Sequence, residues 1–285
     1  MAGHAVTWLD VFTSVPLAGN GLCVVHDADD LDDAAMLAIA RETRLSETTF
    51  VQSPGDADAD YRNRIFATQG ELPFAGHPSL GTAVAVARVR GDHGARYVQE
   101  THAGLQPIEV ALDGANARAS MLQGPATTGA EPDPARVMAA VGLAPADAHA
   151  EWRPEVVSTG APHVMAPVRD DEALRRAVPD PALVPALLGE LGAICIYLAA
   201  VDPAAGTARA RSFFLGDAGV LEDPATGSAV GPLLAYVAHR ARVRALTVQQ
   251  GAEIGRPSTL EAALEDDRIR VAGDVVVVAE GRSVA

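Results

Sequence analysis

Two short stretches, one in each half of the chain, combine groups able to hold or move a proton with glycines and small side chains. His77-Pro-Ser-Leu-Gly-Thr-Ala-Val84 can be laid over Asp223-Pro-Ala-Thr-Gly-Ser-Ala-Val230, matching at Pro, Gly, Ala and Val with Thr for Ser, a step of 146 residues from 77 to 223. His77 can donate or accept a proton near neutral pH, and Asp223 can orient a substrate amine or hydroxyl. A third candidate, Glu47, sits in Leu45-Ser-Glu-Thr-Thr-Phe50 between an amphipathic and an apolar segment, where partial desolvation would raise the basicity of a carboxylate. Each residue also has a structural reading. A His before Pro suits a turn, Ser46-Glu47 suits a cap or a strand-entry turn, and Gly76, Gly81, Gly227, Thr82 and Ser228 suit turns and helix caps.

The elements around these residues repeat as well. Val6 to Phe12 and Leu22 to His26 read as strands separated by the turn chemistry of Pro16 and Gly19-Asn20-Gly21. Leu31 to Thr43 has helical spacing with Asp29 or Asp30 as N-cap, and Thr49 to Gln52 and Tyr61 to Ala67 read as strands. The Gly- and Pro-bearing stretch Gly70 to Pro78 predicts a loop, followed by a helix over Leu80 to Val89 that is small and apolar all round and therefore central to its domain. In the second half, Ala208 to Phe214 predicts a strand and Ala229 to Ala238 another apolar helix. Arg64-Ile-Phe66 and Arg211-Ser-Phe213 precede His77 and Asp223 by 13 and 12 residues. Together these features predict an internal duplication, each half building a unit of strand, loop and buried helix. A Pro- and Ala-rich passage from Gly124 to Pro145 with a short helix near Ala135 to Val141 connects the halves, and Val271 to Glu280 predicts a final strand. Each loop opens a helix, whose first backbone N–H groups and positive dipole end can hold a carboxylate or a developing oxyanion.

Bulk properties narrow the partners. With 285 residues and 48% hydrophobic residues the chain can bury a large core, and its length favours two domains. A formal charge of −15 argues against a nucleic acid, which needs clustered Lys and Arg. Cys23 and Cys195 are far apart, with no Cys-x-x-Cys spacing, so neither a disulfide framework nor a cysteine zinc site is implied. The start Met-Ala-Gly-His-Ala-Val-Thr-Trp-Leu-Asp lacks a basic segment before an apolar run, and no stretch approaches about 18 apolar residues. The expectation is a cytoplasmic protein with no membrane partner.

Longer motifs point further. Asp10-Val-Phe with Gly19-Asn20, Ala40-Arg-Glu-Thr with Ser46-Glu-Thr-Thr-Phe50, Glu71-Leu-Pro-Phe-Ala-Gly-His-Pro-Ser-Leu-Gly-Thr-Ala83, Ser158-Thr-Gly, Glu222-Asp-Pro-Ala-Thr-Gly-Ser-Ala229 and Gln250-Gly with Gly255-Arg-Pro-Ser258 resemble the phenazine-biosynthesis PhzF-like family, of the diaminopimelate-epimerase-like fold. The resemblance implies an α+β protein of two similar domains, each a curved, mostly antiparallel, barrel-like sheet around a central helix, with the active site in the cleft between them. It places the N-terminal domain at residues 1–120, joined by a final strand at 271–285, and the C-terminal domain at 121–270. It further implies a cofactor-free isomerase with no metal, acting on a small unsaturated, carboxylate-bearing metabolite, similar to trans-2,3-dihydro-3-hydroxyanthranilate isomerase, and a homodimer. By the same resemblance Glu47 is the acid/base, His77 and Asp223 flank the substrate, and Ser46, Gly76, Gly227 and Ser228 line its pocket. The chain departs from the family beside the site, with Ala67-Thr68-Gln69 and Phe214-Leu215 where a Pro is common, and with Gly21 after the early Gly-Asn.

Rival readings remain distinct. An amino-acid racemase of this fold uses two opposed cysteines, whereas Cys23 and Cys195 read as small buried hydrophobes outside both loops. A hydrolase lacks its Gly-x-Ser-x-Gly elbow. His163, after Gly160-Ala-Pro, fits a turn. A non-catalytic metabolite-binding protein of the same fold would not need Glu47, His77, Asp223 and Ser228 together.

Overall fold

The computed structural model describes residues 3–283; Met1, Ala2, Val284 and Ala285, with the ends of the expected domains and of the N-terminal segment, lie outside the described residues. The chain forms two compact units, Met1–Leu122 with Ala272–Ala285, and Gln123–Val271. In the first, the strands are β1 (Ala5–Val11), β2 (Asn20–Val25), β3 (Thr48–Gln52), β4 (Tyr61–Ala67), β5 (Gly70–Leu72), β6 (Gly94–Thr101), β7 (Gly104–Asp113) and β8 (Asn116–Leu122), with helices α1 (Asp33–Thr43) and α2 (Gly76–Arg90). The second has β9 (Thr127–Thr128), β10 (Glu155–Ser158), β11 (Pro162–Pro167), β12 (Cys195–Asp202), β13 (Thr207–Gly216), β14 (Gly219–Asp223), β15 (Ala245–Gln250) and β16 (Ser258–Glu265). Its helices are α3 (Pro134–Ala140), α4 (Asp171–Arg176), α5 (Leu183–Leu191) and α6 (Gly227–Ala241), and β17 (Arg268–Arg282) contains the boundary between the units.

In the first unit β1 pairs with both β2 and β17, β2 with β3, β3 with β4, β4 with β6, β6 with β7, β7 with β8, and β8 with β17. Eight strands thus close a barrel, removing the exposed edges that an open sheet would present, and β5 hangs on β4 as a hairpin arm. Helix α2 is buried from Gly76 through Ala87 and packs on seven of the barrel strands, as its all-round small and apolar composition requires. A Cβ on Gly81 would lie 2.5 Å from Leu22 Cδ2 and 2.9 Å from Val11 Cγ2, so only glycine lets the helix lie this close to β1 and β2.

The second unit repeats the order of pairings. Antiparallel β1–β2, parallel β2–β3, antiparallel β3–β4, parallel β4–β6 and antiparallel β6–β7 recur as β10–β11, β11–β12, β12–β13, β13–β15 and β15–β16. Each parallel pair needs a crossover, supplied by α1 and α2 in one unit and by α4–α5 and α6 in the other. Helix α6 packs on β10, β11, β15 and β16. A second apolar cluster gathers Val137 and Met138 of α3, Leu174 of α4, Leu187 of α5 and Phe213 of β13.

The duplication is real, but its register differs from the one the sequence suggests. Helix starts (76 and 227), left-handed C-caps (91 and 242) and the next strand starts (94 and 245) are all 151 residues apart. Across the preceding hairpins Glu71 faces Phe66 and Glu222 faces Phe213. Glu71-Leu-Pro-Phe-Ala-Gly-His77 therefore corresponds to Glu222-Asp-Pro-Ala-Thr-Gly-Ser228: His77 matches Ser228, and Asp223 matches Leu72. The overlay by 146 residues followed a shared Pro-x-x-Gly spacing, whereas strand register and helix ends decide which residues are equivalent.

Other differences are local. Asp32, not Asp29 or Asp30, caps α1, accepting from the Ala35 N–H at 2.8 Å; Asp29 instead holds Ser53. The stretch expected as a loop over Gly70 to Pro78 contains β5 and the first turn of α2, where a proline's missing N–H has no helical partner to lose. His163 lies in β11 and is fully buried.

Candidate functional site

The hairpins that deliver the two loops are braced alike. Arg64 grips Glu71 through two N–H donors and lies 5.4 Å over the Phe66 ring; Arg211 grips Glu222 at 2.9 and 2.6 Å and lies 5.0 Å over Phe213. Paired forks of this kind fix geometry as much as they add energy.

In the first unit His77 occupies the first turn of α2. Its Nε2 lies 3.4 Å from Glu47 Oε2, and its Nδ1 lies 3.3 Å from Asn20 Nδ2. The Ser46 hydroxyl donates to Asn20 Oδ1 at 3.4 Å. The Asn20 amide nitrogen thus meets the ring on its Nδ1 side, and Glu47 lies on its Nε2 side. Burial pushes the His77 imidazole down to about 3, against a weaker backbone hydrogen bond with Gly21, so the ring is neutral at pH 7. Thr49, on the strand after Glu47, shares a 2.8 Å buried hydrogen bond with Thr82 of α2, which holds the Glu47–His77 spacing. Asn20 is delivered by the loop after β1, where buried Asp10 accepts from the Leu17 N–H at 2.6 Å.

In the second unit Asp223 ends β14, and Gly227 and Ser228 open α6. Asp223 Oδ2 accepts from the Thr226 hydroxyl at 2.7 Å. Gln250 donates to the Asp223 carbonyl at 2.7 Å, and Gln123 donates to the Gly227 carbonyl at 3.0 Å while accepting from Thr159 at 2.7 Å. Pro232 lies inside α6, so its absent N–H cannot serve the Ser228 carbonyl four residues back. Buried His163 interacts with that backbone, and burial pushes its imidazole down to about 3.

The structure thus gathers Ser46, Glu47, Gly76 and His77 in one unit, and Asp223, Gly227 and Ser228 in the other. Asn20, Thr226, Gln250, Gln123 and Thr159 were not singled out as site residues, although all but Gln123 lie in the motifs that carried the resemblance. Neither α2 nor α6 has a side-chain N-cap hydrogen bond, which leaves first-turn N–H groups to other acceptors. Burial pushes the Cys23 thiol up to about 11 and Cys195 up to about 12, so both stay neutral and neither is a ready thiolate base. Cys195 Sγ sits 3.1 Å from His163 Nδ1.

The two buried imidazoles carry a pH prediction. His77 and His163 titrate near 3 when folded and near 6.5 when unfolded, so below pH 6.5 the unfolded chain binds more protons. Stability is full above that value and falls with pH down to about 3, each ring adding a slope of about 1.4 kcal/mol per pH unit. Urea unfolding from pH 7 to pH 4 should show this loss, and His163→Gln should remove the share of one ring while His77 keeps its own; an unchanged slope would contradict burial of a neutral ring.

The family model described as phenazine biosynthesis-like protein matches residues 9–281. The chain is 36% identical over 292 residues to trans-2,3-dihydro-3-hydroxyanthranilate isomerase of Pseudomonas aeruginosa, covering 98% of this chain and 99% of that one. A solved structure described as a predicted epimerase from Pseudomonas aeruginosa is 36% identical, covers 99% of both chains and has a TM-score of 0.86. A phenazine biosynthesis protein from Bacillus anthracis is 28% identical, covers 100% of both chains and has a TM-score of 0.86.

Proposed function

Because the chain belongs to the phenazine biosynthesis-like family, we propose that it is an isomerase that moves one proton between carbons of a small unsaturated carboxylate, with Glu47 carrying the proton. Its PhzF-like isomerase character follows from the named relatives; the substrate we assign is trans-2,3-dihydro-3-hydroxyanthranilate or a close analogue. The observation that carries the reading is the Glu47–His77 pair, a carboxylate 17% exposed set 3.4 Å from a neutral buried imidazole.

The reaction balances without a cofactor. Glu47 takes a proton from one carbon, and the C–H electron pair becomes a new double bond. The displaced π pair takes the proton back from Glu47 at the far carbon, so the carboxylate ends as it began. His77, held by Asn20 on its Nδ1 side, orients Glu47 and the reacting edge of the substrate. Asp223 and Ser228 bind polar substituents, Ser46, Gly76 and Gly227 line the pocket, and first-turn helix N–H groups meet the carboxylate. A homodimer in the cytoplasm is part of the same reading.

Incubation with trans-2,3-dihydro-3-hydroxyanthranilate in deuterated water tests it. The expected result is isomerised product, with deuterium at the newly protonated carbon because the partly exposed Glu47 carboxyl exchanges its proton with solvent between the two steps. Cα exchange and loss of optical activity with single amino-acid enantiomers, and no turnover of the dihydro compound, would instead make the protein a racemase.

A further inference from the structure

Thr226 is the N-cap residue of α6, yet its hydroxyl makes no cap hydrogen bond. A threonine at this position ordinarily accepts from an N–H of the first helical turn. Here Oγ1 donates to Asp223 Oδ2 at 2.7 Å and accepts from Gln250 Nε2 at 3.0 Å. A hydroxyl has one proton, so the bond from Gln250 on its lone pair aims that proton at the carboxylate.

Gln250, 2% exposed, uses its whole amide for this. Oε1 accepts from the Tyr197 hydroxyl at 2.9 Å and the Thr226 N–H at 3.2 Å, while Nε2 donates to the Asp223 carbonyl at 2.7 Å and to Thr226 Oγ1. The amide cannot be turned over: a backbone N–H meets only an acceptor, and a carbonyl only a donor. Tyr197 lies directly across from Ser212, and Ser212 from Asp223, so Tyr197 and Asp223 share one face of the sheet. Burial holds the Tyr197 phenol far above its ordinary range, so it remains an O–H donor.

The first unit contains the same device without the carboxylate. Gln99, 151 residues before Gln250 and fully buried, accepts from Asn63 at 2.9 Å and donates to Ser79 at 2.8 Å, and Ser79 donates to the Ala75 carbonyl at 2.7 Å. Ala75 corresponds to Thr226 and Leu72 to Asp223, so this chain ends on backbone at the helix start. Bracing a helix cap needs only the glutamine. Aiming a hydroxyl at a carboxylate needs Thr226 as well, and only the second unit has it.

We propose that Tyr197, Gln250 and Thr226 form a directional hydrogen-bond relay that sets the pose of the Asp223 carboxylate toward the substrate. The three are positioning residues, and their effect on turnover rests on Asp223 acting as assigned above. Thr226→Val keeps the shape and removes the hydroxyl; Thr226→Ser keeps the hydroxyl. The expected result is kcat/KM at least tenfold lower in Thr226→Val, within about threefold of wild type in Thr226→Ser, with both melting close to wild type. Equal kcat/KM in the two variants overturns the relay. Crystal structures of both variants test it even if the dihydro compound is not the substrate: the relay requires the Asp223 carboxylate to leave its place in Thr226→Val and keep it in Thr226→Ser, and an unmoved carboxylate in both overturns it. Thr226→Ala serves in the same comparison if the valine variant does not fold.

Discussion

Glu47→Gln is expected to lower kcat by about 10²–10⁴-fold, the range associated with a positioned general acid–base group. Glutamine keeps the volume and can still meet the His77 ring, but it does not take up a proton at neutral pH. The neighbouring imidazole is a poor substitute, because burial pushes His77 down to about 3. The side chain sits partly exposed in the turn before β3, so the melting temperature should stay within a few degrees of wild type. KM should change little if the carboxylate acts mainly on the transferring proton. Steady-state kinetics beside a melting curve check both, and near-normal turnover on the true substrate would remove Glu47 from the central role.

The local patterns that position this site are easy to see in the sequence. Helix α2 is small and apolar around its whole circumference, so burial at the centre of a barrel is written into its composition, and the Arg-x-Phe strands mark the hairpins that carry both loops. The register of the duplication is less legible. Pro78, Gly81 and Pro224, Gly227 share a spacing by coincidence, and identity of residues favoured the overlay that pairs His77 with Asp223. Hairpin pairing and helix ends instead pair His77 with Ser228, because the β13–β14 hairpin runs two residue pairs further before its two-residue turn than β4–β5 does. The two halves therefore present different chemistry from equivalent places: an imidazole in one first turn and a hydroxyl in the other.

The amides were harder to find for a physical reason. Asn20 acts on His77, 57 residues away, Gln123 on Gly227, 104 away, and Gln250 on Asp223 and Thr226, 27 and 24 away. An amide carries no charge and follows no periodic pattern, so its role appears only once folding brings its partners to hydrogen-bond distance. The same holds for Thr226, whose place before a helix suggests an ordinary cap. Its departure from that local rule became visible only when its hydroxyl was found on Asp223, and such departures tend to collect where function outweighs local preference.

Gly251→Ala should be the most damaging small substitution near Asp223, costing about 3 kcal/mol in denaturant unfolding and at least tenfold in turnover. Gly251 follows Gln250 with φ +80° in the left-handed region, and an added Cβ would fall on the Arg256 carbonyl oxygen and within 2.5 Å of the Pro224 carbonyl oxygen. Both obstacles are backbone, so neither can rotate away. Relief requires Pro224 to shift, and Pro224 joins Asp223 to the start of α6, so the Asp223 carbonyl would move off Gln250 Nε2. Gly91→Ala separates the two causes. It shares a left-handed φ of +75°, at the end of α2, but a Cβ there meets nothing within 4 Å, so only the conformational cost of about 1 kcal/mol applies and turnover should hold. Equal losses in the two variants would mean that backbone conformation alone accounts for both, and that the contact between Gly251 and the Asp223 loop contributes nothing.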